Sequence, residues 1–324
     1  MLPVQYQLTL GSTTYTPKDQ PYLVDLQSIA SLTSPVNHCR MVLSPPIDLD
    51  LQPSDPVVIK LGYGTTTELV FTGRVESLEW SIDRVTIHSV SAFQSLTSAR
   101  FNLLYEKPNA GEIVKDIAST RLKLKVENVE SGLKFSVYAL GDRTSAYDHL
   151  RSIANQCGFD LYANPQDKVV FALYKAATTH KLTYGIDILS LTLTQPTEGV
   201  TGIEVYGESP SSQGQGDQAY SWLTKKEVKG SAGKKSGVLL RLDDPTARTQ
   251  DLAGKIAKSV LATKQQKPRG HIKVLGDAKL KLGDGIEIAK MPLSQQNGTF
   301  KITGVKHRLN RQQGFYTAID WEEP

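Results

Sequence analysis

Between Gly270 and Trp321 the chain repeats one pattern four times, and that pattern leaves little choice of architecture. His271-Ile-Lys-Val-Leu275 alternates apolar and polar residues before Gly276-Asp277 turns the chain. Gly285-Ile-Glu-Ile-Ala-Lys290 does the same after Leu282-Gly-Asp-Gly285. A third run, Thr299 to Leu309, follows Asn297-Gly298, a pair that predicts a tight hairpin turn. The fourth, Phe315 to Trp321, follows the polar reverse Asn310-Arg-Gln-Gln-Gly314. Period-two alternation bounded by Gly, Asn and Asp predicts antiparallel strands with one buried face, closed into a small barrel or curled sheet.

The first hundred residues read the same way, with short strands over Val4–Leu10, Tyr22–Leu32, Cys39–Leu43, Asp55–Tyr63, Glu68–Leu78 and Arg84–Ser91. Pro45-Pro46 and Gly62-Tyr-Gly64 supply turns and keep edges short. Set against the C-terminal run, this unit shows a weak internal repeat. Asp55-Pro-Val-Val-Ile-Lys60 answers Asp284-Gly-Ile-Glu-Ile-Ala289, and Val85-Thr-Ile87 answers Thr317-Ala-Ile319. Aligning Thr72-Gly73 with Thr303-Gly304 slips the apolar parity by one, so one copy is expected to carry a bulge after its glycine.

Between the two lies a change of period. Asn109 to Ala118 places Ile113, Val114 and Ile117 on one helical face. Strand-like runs follow at Leu122–Val126 and Leu133–Tyr138. A second helix opens at Thr144 or Ser145 with Asp148 in capping-box position, and Gly158 ends it. Phe159-Asp-Leu-Tyr162, the turn Asn164-Pro-Gln-Asp167 and Val169–Leu173 complete a compact α+β unit. Strand patterns return at Ile188–Leu193 and Gly202–Tyr206. The polar stretch 209–237, anchored by Tyr220 and Trp222, predicts a mobile loop or long hairpin. A helix is expected over 245–264, started by Asp244-Pro245. The fold class is mainly β with a small α+β domain: two antiparallel β-barrels in one chain, residues 1–102 and 178–324, flanking a two-helix α+β domain at 103–177.

With 324 residues, 39% hydrophobic and 22% charged, the composition is that of a globular chain of two or three domains. No apolar run is long enough to span a bilayer, and Met1-Leu-Pro-Val-Gln-Tyr6 has no signal pattern, which predicts synthesis and folding in a cytoplasm without membrane insertion. Cys39 and Cys157 have neither zinc nor redox spacing and read as small buried hydrophobes. The net charge of +4 is modest, but Lys225, Lys226, Lys229, Lys234, Lys235, Arg241 and the cations up to Arg269 concentrate it in one segment. Without interleaved aromatics that segment reads as a solvated surface, a nucleic-acid-binding module being the other reading.

No catalytic, cofactor or metal constellation emerges. His38, His88, His149, His180, His271 and His307 include no His-x-x-x-His pair, and no nucleophile elbow or P-loop occurs. Gly62-Tyr-Gly64 lacks the third glycine and the helix of a dinucleotide loop. Glu106, Glu112 and Asp116 could supply the paired carboxylates of a glycosidase, but beside a helix start they read as dipole partners. Asn297-Gly-Thr299 fits a glycosylation pattern, which the expected hairpin explains without secretion.

Two stretches carry a resemblance to a known family. Asp142-Arg-Thr-Ser-Ala-Tyr-Asp-His-Leu-Arg-Ser-Ile-Ala-Asn-Gln-Cys-Gly-Phe-Asp-Leu-Tyr162 is one. The other is Gly276–Asp284 with Gly298–Leu309 and Gly314-Phe-Tyr-Thr317. In these motifs and in layout the chain resembles the baseplate hub, or late control, proteins of contractile phage tails and contractile injection systems. The resemblance implies that both barrels are tail-tube-like and that the protein is a structural one, not an enzyme. It further implies a homotrimer whose six barrels form a pseudo-sixfold ring in a virion tail baseplate or injection particle. That ring would join a trimeric spike, a separate protein since Pro324 leaves no room for one, to the hexameric tail tube or its initiator, and would nucleate tube assembly. Baseplate wedge proteins would be further neighbours, and DNA or effector passing cargo. The alternative is a tail-associated cell-wall hydrolase or glycan-binding protein, which requires a carboxylate-lined groove in the middle domain.

Overall fold

The computed structural model describes residues 3–18, 23–45, 49–196, 199–207 and 228–324. The loop expected at 209–237 therefore lies mostly outside the described residues, with Tyr220 and Trp222. The first unit comprises β1 (Val4–Leu10), β2 (Thr13–Tyr15), β3 (Leu23–Ser31), β4 (His38–Leu43), β5 (Pro56–Tyr63), β6 (Thr66–Trp80) and β7 (Val85–Val90), closed by the short helix α1 (Gln94–Ser98). Then come β8 (Leu103–Glu106), α2 (Ala110–Lys115), β9 (Lys125–Val129), β10 (Val137–Leu140), α3 (Ala146–Cys157), β11 (Asp160–Ala163) and β12 (Lys168–Ala172). The remainder is β13 (Thr179–Thr183), β14 (Ile188–Thr194), β15 (Val200–Gly207), β16 (Lys229–Gly233), β17 (Val238–Asp244), α4 (Gln250–Lys264), β18 (Arg269–Leu275), β19 (Gly285–Ala289), β20 (Gly298–Asn310) and β21 (Gly314–Glu322). The chain is mostly β, as the alternation predicted.

Both terminal units build the same sheet. In the first, strands run β5-β6-β7-β4-β3; in the second, β19-β20-β21-β18-β14. Pro56, Arg74 and Val90 stand abreast in one, and Gly285, Lys301 and Glu322 in the other. Immediately beyond, β6 bulges at Glu76 and β20 at Thr303. The bonds before the bulges match too: Val75 N–H donates to the Asp55 carbonyl at 2.9 Å and Ile302 N–H to that of Asp284 at 3.1 Å. A second shared bulge falls at Val24 in β3 and Leu189 in β14. The repeat is therefore real in the backbone, but Val75 corresponds to Ile302, so the Thr72-Gly73 and Thr303-Gly304 match is out of register by four residues. The expected single bulge is present in both copies, which removes the apparent parity slip.

The copies differ at their flanks. β1 pairs antiparallel with β5, whereas β13 lies parallel to β19. The β6–β7 hairpin turns after Ser81, whose N–H donates to Arg84 O at 2.9 Å, while β20–β21 runs on to Asn310 and Gly314.

Side chains from the inward faces fill two cores. One contains Leu26, Met41, Ile59, Phe71 and Ile87; the other Ile272, Ile286, Ile302, Ile319 and Trp321. A third core holds the middle unit. There α3 is built as the capping box predicts, with Ser145 Oγ accepting from Asp148 N–H and Gly158 left-handed at φ 70°. Past Lys115, α2 widens into a π-helical turn, Asp116–Arg121, which brings Arg121 Nε to within 2.8 Å of the Asp116 carboxylate.

Sequence order placed the segment from Val200 to Lys264 with the second barrel, but its apolar side chains pack into the middle core. Leu252, Ile256 and Val260 of α4 and Ile203 and Val205 of β15 are buried with Ile153 of α3. The helix starts later than Asp244-Pro245 suggested: Thr249 caps it by accepting from Leu252 N–H, and Asp244 instead caps the preceding turn at Thr246. The Gly-rich run at 229–237 also differs from expectation. Its first half is β16, and a Cβ on Gly230 would lie 2.1 Å from Gly254 N, so glycine is what lets β16 lie against α4. Asn297-Gly298 does not make a tight hairpin either. β19 and β20 are linked through a 3₁₀ turn, Ser294–Gln296, and the Asn297 side chain closes the link by accepting from Met291 N–H at 2.8 Å.

Candidate assembly edges

The two copies are joined edge to edge within the chain. β20 gives its first residues to β19 and its last to β3, from Gly304↔Ser31 to Asn310↔Asp25. Across this seam Asp25 accepts from Arg308 Nε at 3.1 Å and from Arg40 Nη1 at 3.2 Å. His307 is buried there, its ring nitrogens 3.0 Å from Thr317 Oγ1 and 3.2 Å from Leu280 O. Burial pushes its pKa down to about 4, against the opposing pull of the Leu280 carbonyl and Asp277.

Among the edges left unpaired in the described residues, two are the counterparts of the strands at this seam. β14 ends the strand path on one side, with β18 its one strand partner and a single bridge from Ile188 to Tyr184 besides. The outer edge of β6 is free beyond Val75, where β5 stops. Large apolar side chains crowd these edges: Trp80 is 60% exposed, Ile82 fully so, and Leu189 55%. The sheet ends thus carry what an interface would cover.

The β11–β12 hairpin, which the sequence marked by Phe159-Asp-Leu-Tyr162, holds both copies at once. Ala163 O accepts from Asn37 Nδ2 at 2.9 Å and the Asp167 carboxylate from Ala92 N–H at 2.8 Å, both in the first copy. Toward the second, Asp160 pairs with Lys301 at 2.7 Å, and the Tyr162 hydroxyl lies against Gly283, where a Cβ would be 2.2 Å away. Nearby, buried Asp284 meets His180 Nε2 at 2.8 Å.

The residues considered for chemistry are engaged otherwise. Glu112 closes the α2 capping box with Asn109, and Glu106 is exposed. Asp116 is partly buried, which opposes its charge, yet hydrogen bonds from Arg121 and Tyr105 hold its carboxyl below the usual range. A glycosidase acid would need the opposite shift. An open groove of about 630 Å³ separates the first copy from the middle unit, and the one carboxylate lining it is Asp167. The cysteines are free thiols, Cys39 buried and Cys157 partly so, and burial raises both, Cys157 to about 11. In the basic segment Lys229, Lys235 and Arg241 converge on buried Glu204 at 3.1, 3.7 and 3.2 Å. Part of that positive charge is thus paired within the chain; Lys225 and Lys226 lie outside the described residues. Among the described residues no group of three His, Cys, Asp or Glu could hold a metal, and no helix is long and apolar enough to cross a membrane.

The architecture matches solved structures of tail proteins. The 43 kDa tail protein of prophage MuSo2 from Shewanella oneidensis aligns with TM-score 0.71 at 14% identity, over 99% of this chain and 98% of that one. A tail protein from Neisseria meningitidis MC58 gives 0.72 at 14%, over 99% and 96%. The E. coli c3393 protein, a type VI secretion system component described as structurally similar to T4 bacteriophage tail proteins, gives 0.59 at 11%, over 93% and 73%. At these identities the likeness is one of fold. No curated protein matches the sequence. A family model described as the Alg8 N-terminal domain matches residues 47–311, most of the chain, and the protein belongs to that family.

Proposed function

We propose that this chain is a structural baseplate hub protein of a contractile tail or injection system, forming a trimeric, pseudo-sixfold ring between a trimeric spike and a hexameric tail tube. The observation that carries the proposal is the duplication: one chain holds two copies of one sheet, with matching bulges, already joined edge to edge. A subunit with two near-equivalent barrels is what reconciles three subunits with six, and its mechanism is templating rather than chemistry. The fold shared with phage tail proteins and a secretion-system component supports the same setting. In this reading units 1–102 and 178–324 line the ring, and the middle unit 103–177, with the 200–264 insertion packed on it, braces them from outside. Homotrimer, spike, tube or tube initiator and wedge proteins are the proposed contacts, and the virion baseplate or injection particle the proposed location.

Light scattering over a concentration series, on the protein alone and with candidate spike and tube proteins, tests this. A trimer, or a three-to-three complex with a spike, is expected. A chain that stays monomeric with both partners and instead cleaves or binds peptidoglycan overturns it in favour of the cell-wall reading.

A further inference from the structure

The seam inside the chain specifies a second seam outside it. Because the strand units correspond residue by residue, the internal β3–β20 pairing can be transferred onto their counterparts, β14 and β6. Through the shared bulges and pairings, Leu26, Gln27, Ser28 and Ile29 of β3 correspond to Leu191, Thr192, Leu193 and Thr194 of β14. In the same way Lys306, His307 and Arg308 of β20 correspond to Glu79, Trp80 and Ser81 of β6. Both edges are unpaired among the described residues, and they lie at opposite ends of the eight-strand path β6-β7-β4-β3-β20-β21-β18-β14.

We infer that β14 of one subunit pairs antiparallel with β6 of the next copy in a fixed register: Thr194 opposite Glu79, Leu193 opposite Trp80, and Thr192 opposite Ser81. Burial agrees with this occupant. Leu26 is 0% exposed beneath the internal seam, whereas its counterpart Leu191 is only partly buried. His307 is 4% exposed, whereas its counterpart Trp80 is 60% exposed. Each counterpart is apolar and needs the cover that the internal seam already provides. The contact is head to tail, since one subunit's β14 edge meets another's β6 edge. Such contacts close into a ring or run on as a filament, and three copies give the ring proposed above. The two seams are not identical. The β6–β7 hairpin is shorter than β20–β21, and Ser190 stands where Asp25 does, so the outer seam lacks the two-arginine clasp and rests on apolar contact and backbone pairing.

The inference rests on the ring reading, and the test separates the two. Leu32 N–H donates to Thr303 O, so by alternation Gln27 and Arg308 form a non-hydrogen-bonded pair, the closer kind. Their counterparts Thr192 and Ser81 are both exposed and suit a disulfide. The full-length S81C/T192C variant is sized by light scattering, alone and with spike and tube proteins, then mildly oxidised and run on a non-reducing gel against wild type. A covalent ladder ending at the trimer is expected, at least about tenfold stronger than for E79C/T192C, which is two residues out of register. Trp80→Lys should convert trimer to a monomer that stays folded, with a circular dichroism spectrum like that of wild type. A trimer by mass without the S81C/T192C ladder, or with an equal ladder from E79C/T192C, overturns the seam and leaves the ring standing. A monomer under every condition overturns the ring and the seam with it.

Discussion

The two copies of the sheet are built alike and finished differently. In the second, the far half of β20 is covered by β3, so His307 and Val305 sit in a closed interior and Asp25 ties the seam with two arginines. In the first, the corresponding half of β6 has β7 on one side but no strand on the other, and Trp80 and Ile82 stand in the open. One backbone design can therefore be complete within the chain at one edge and incomplete at the other. The difference lies in what is beside the strand, not in the strand.

The sharpest way to probe that contrast is to truncate equivalent leucines. Leu26→Ala should cost about 2–5 kcal/mol, since Leu26 is fully buried under the internal seam. Leu191→Ala should cost only about 1 kcal/mol in the isolated subunit, being half covered. Urea unfolding of both variants measures the gap, and equal losses would break the comparison. Once the ring has formed, the Leu191 effect should rise toward that of Leu26.

The pH response should separate the copies next. His307 has a folded pKa near 4 and an unfolded value near 6.5. Above pH 6.5 it is neutral in both states. As pH falls toward 4 only the unfolded chain takes up its proton, so stability drops by about 3 kcal/mol across that window. His307→Gln should flatten this part of the profile, whereas substitution of Trp80, its non-titrating counterpart, should leave the slope intact. Denaturation midpoints between pH 4 and 7 provide the check.

The smallest effect belongs to the clasp. Asp25→Ala removes both arginine contacts, but Arg40 is half exposed and Arg308 a third exposed, so about 1 kcal/mol is expected, falling with added salt. A Ser190→Asp change in the outer edge would have no arginine at Ser81 to meet and should leave trimer stability unchanged or weaker.

Much of this molecule was legible residue by residue. Alternation placed most strands of the terminal units to within a residue or two, because each has one buried face and the period of two is local, but it passed over the short β2 and the parallel β13. The capping box at Ser145 and the left-handed Gly158 fixed the ends of α3 for the same reason. Misplaced features were mostly those whose role is set by contacts outside the run of residues that was read. Gly230 looked like loop composition and is a packing contact with α4. Asn297-Gly298 looked like a two-residue turn, but the link it closes is longer. The Thr-Gly coincidence misled the repeat by four residues because residue identity is a poorer guide than backbone pairing at this divergence. The candidate edges were not legible at all: nothing in Glu79-Trp80-Ser81 says that no strand lies on its outer side.

Sequence alone determined the kind of elements, the order of the units and the presence of a duplication, since these follow from side-chain periodicity and turn chemistry along the chain. Only the tertiary structure decided the register of the copies, the seam between them and which edges stay open. Those depend on hydrogen-bond pairing between strands as far apart as β3 and β20, and a strand's own sequence carries the face it buries but not the neighbour it meets.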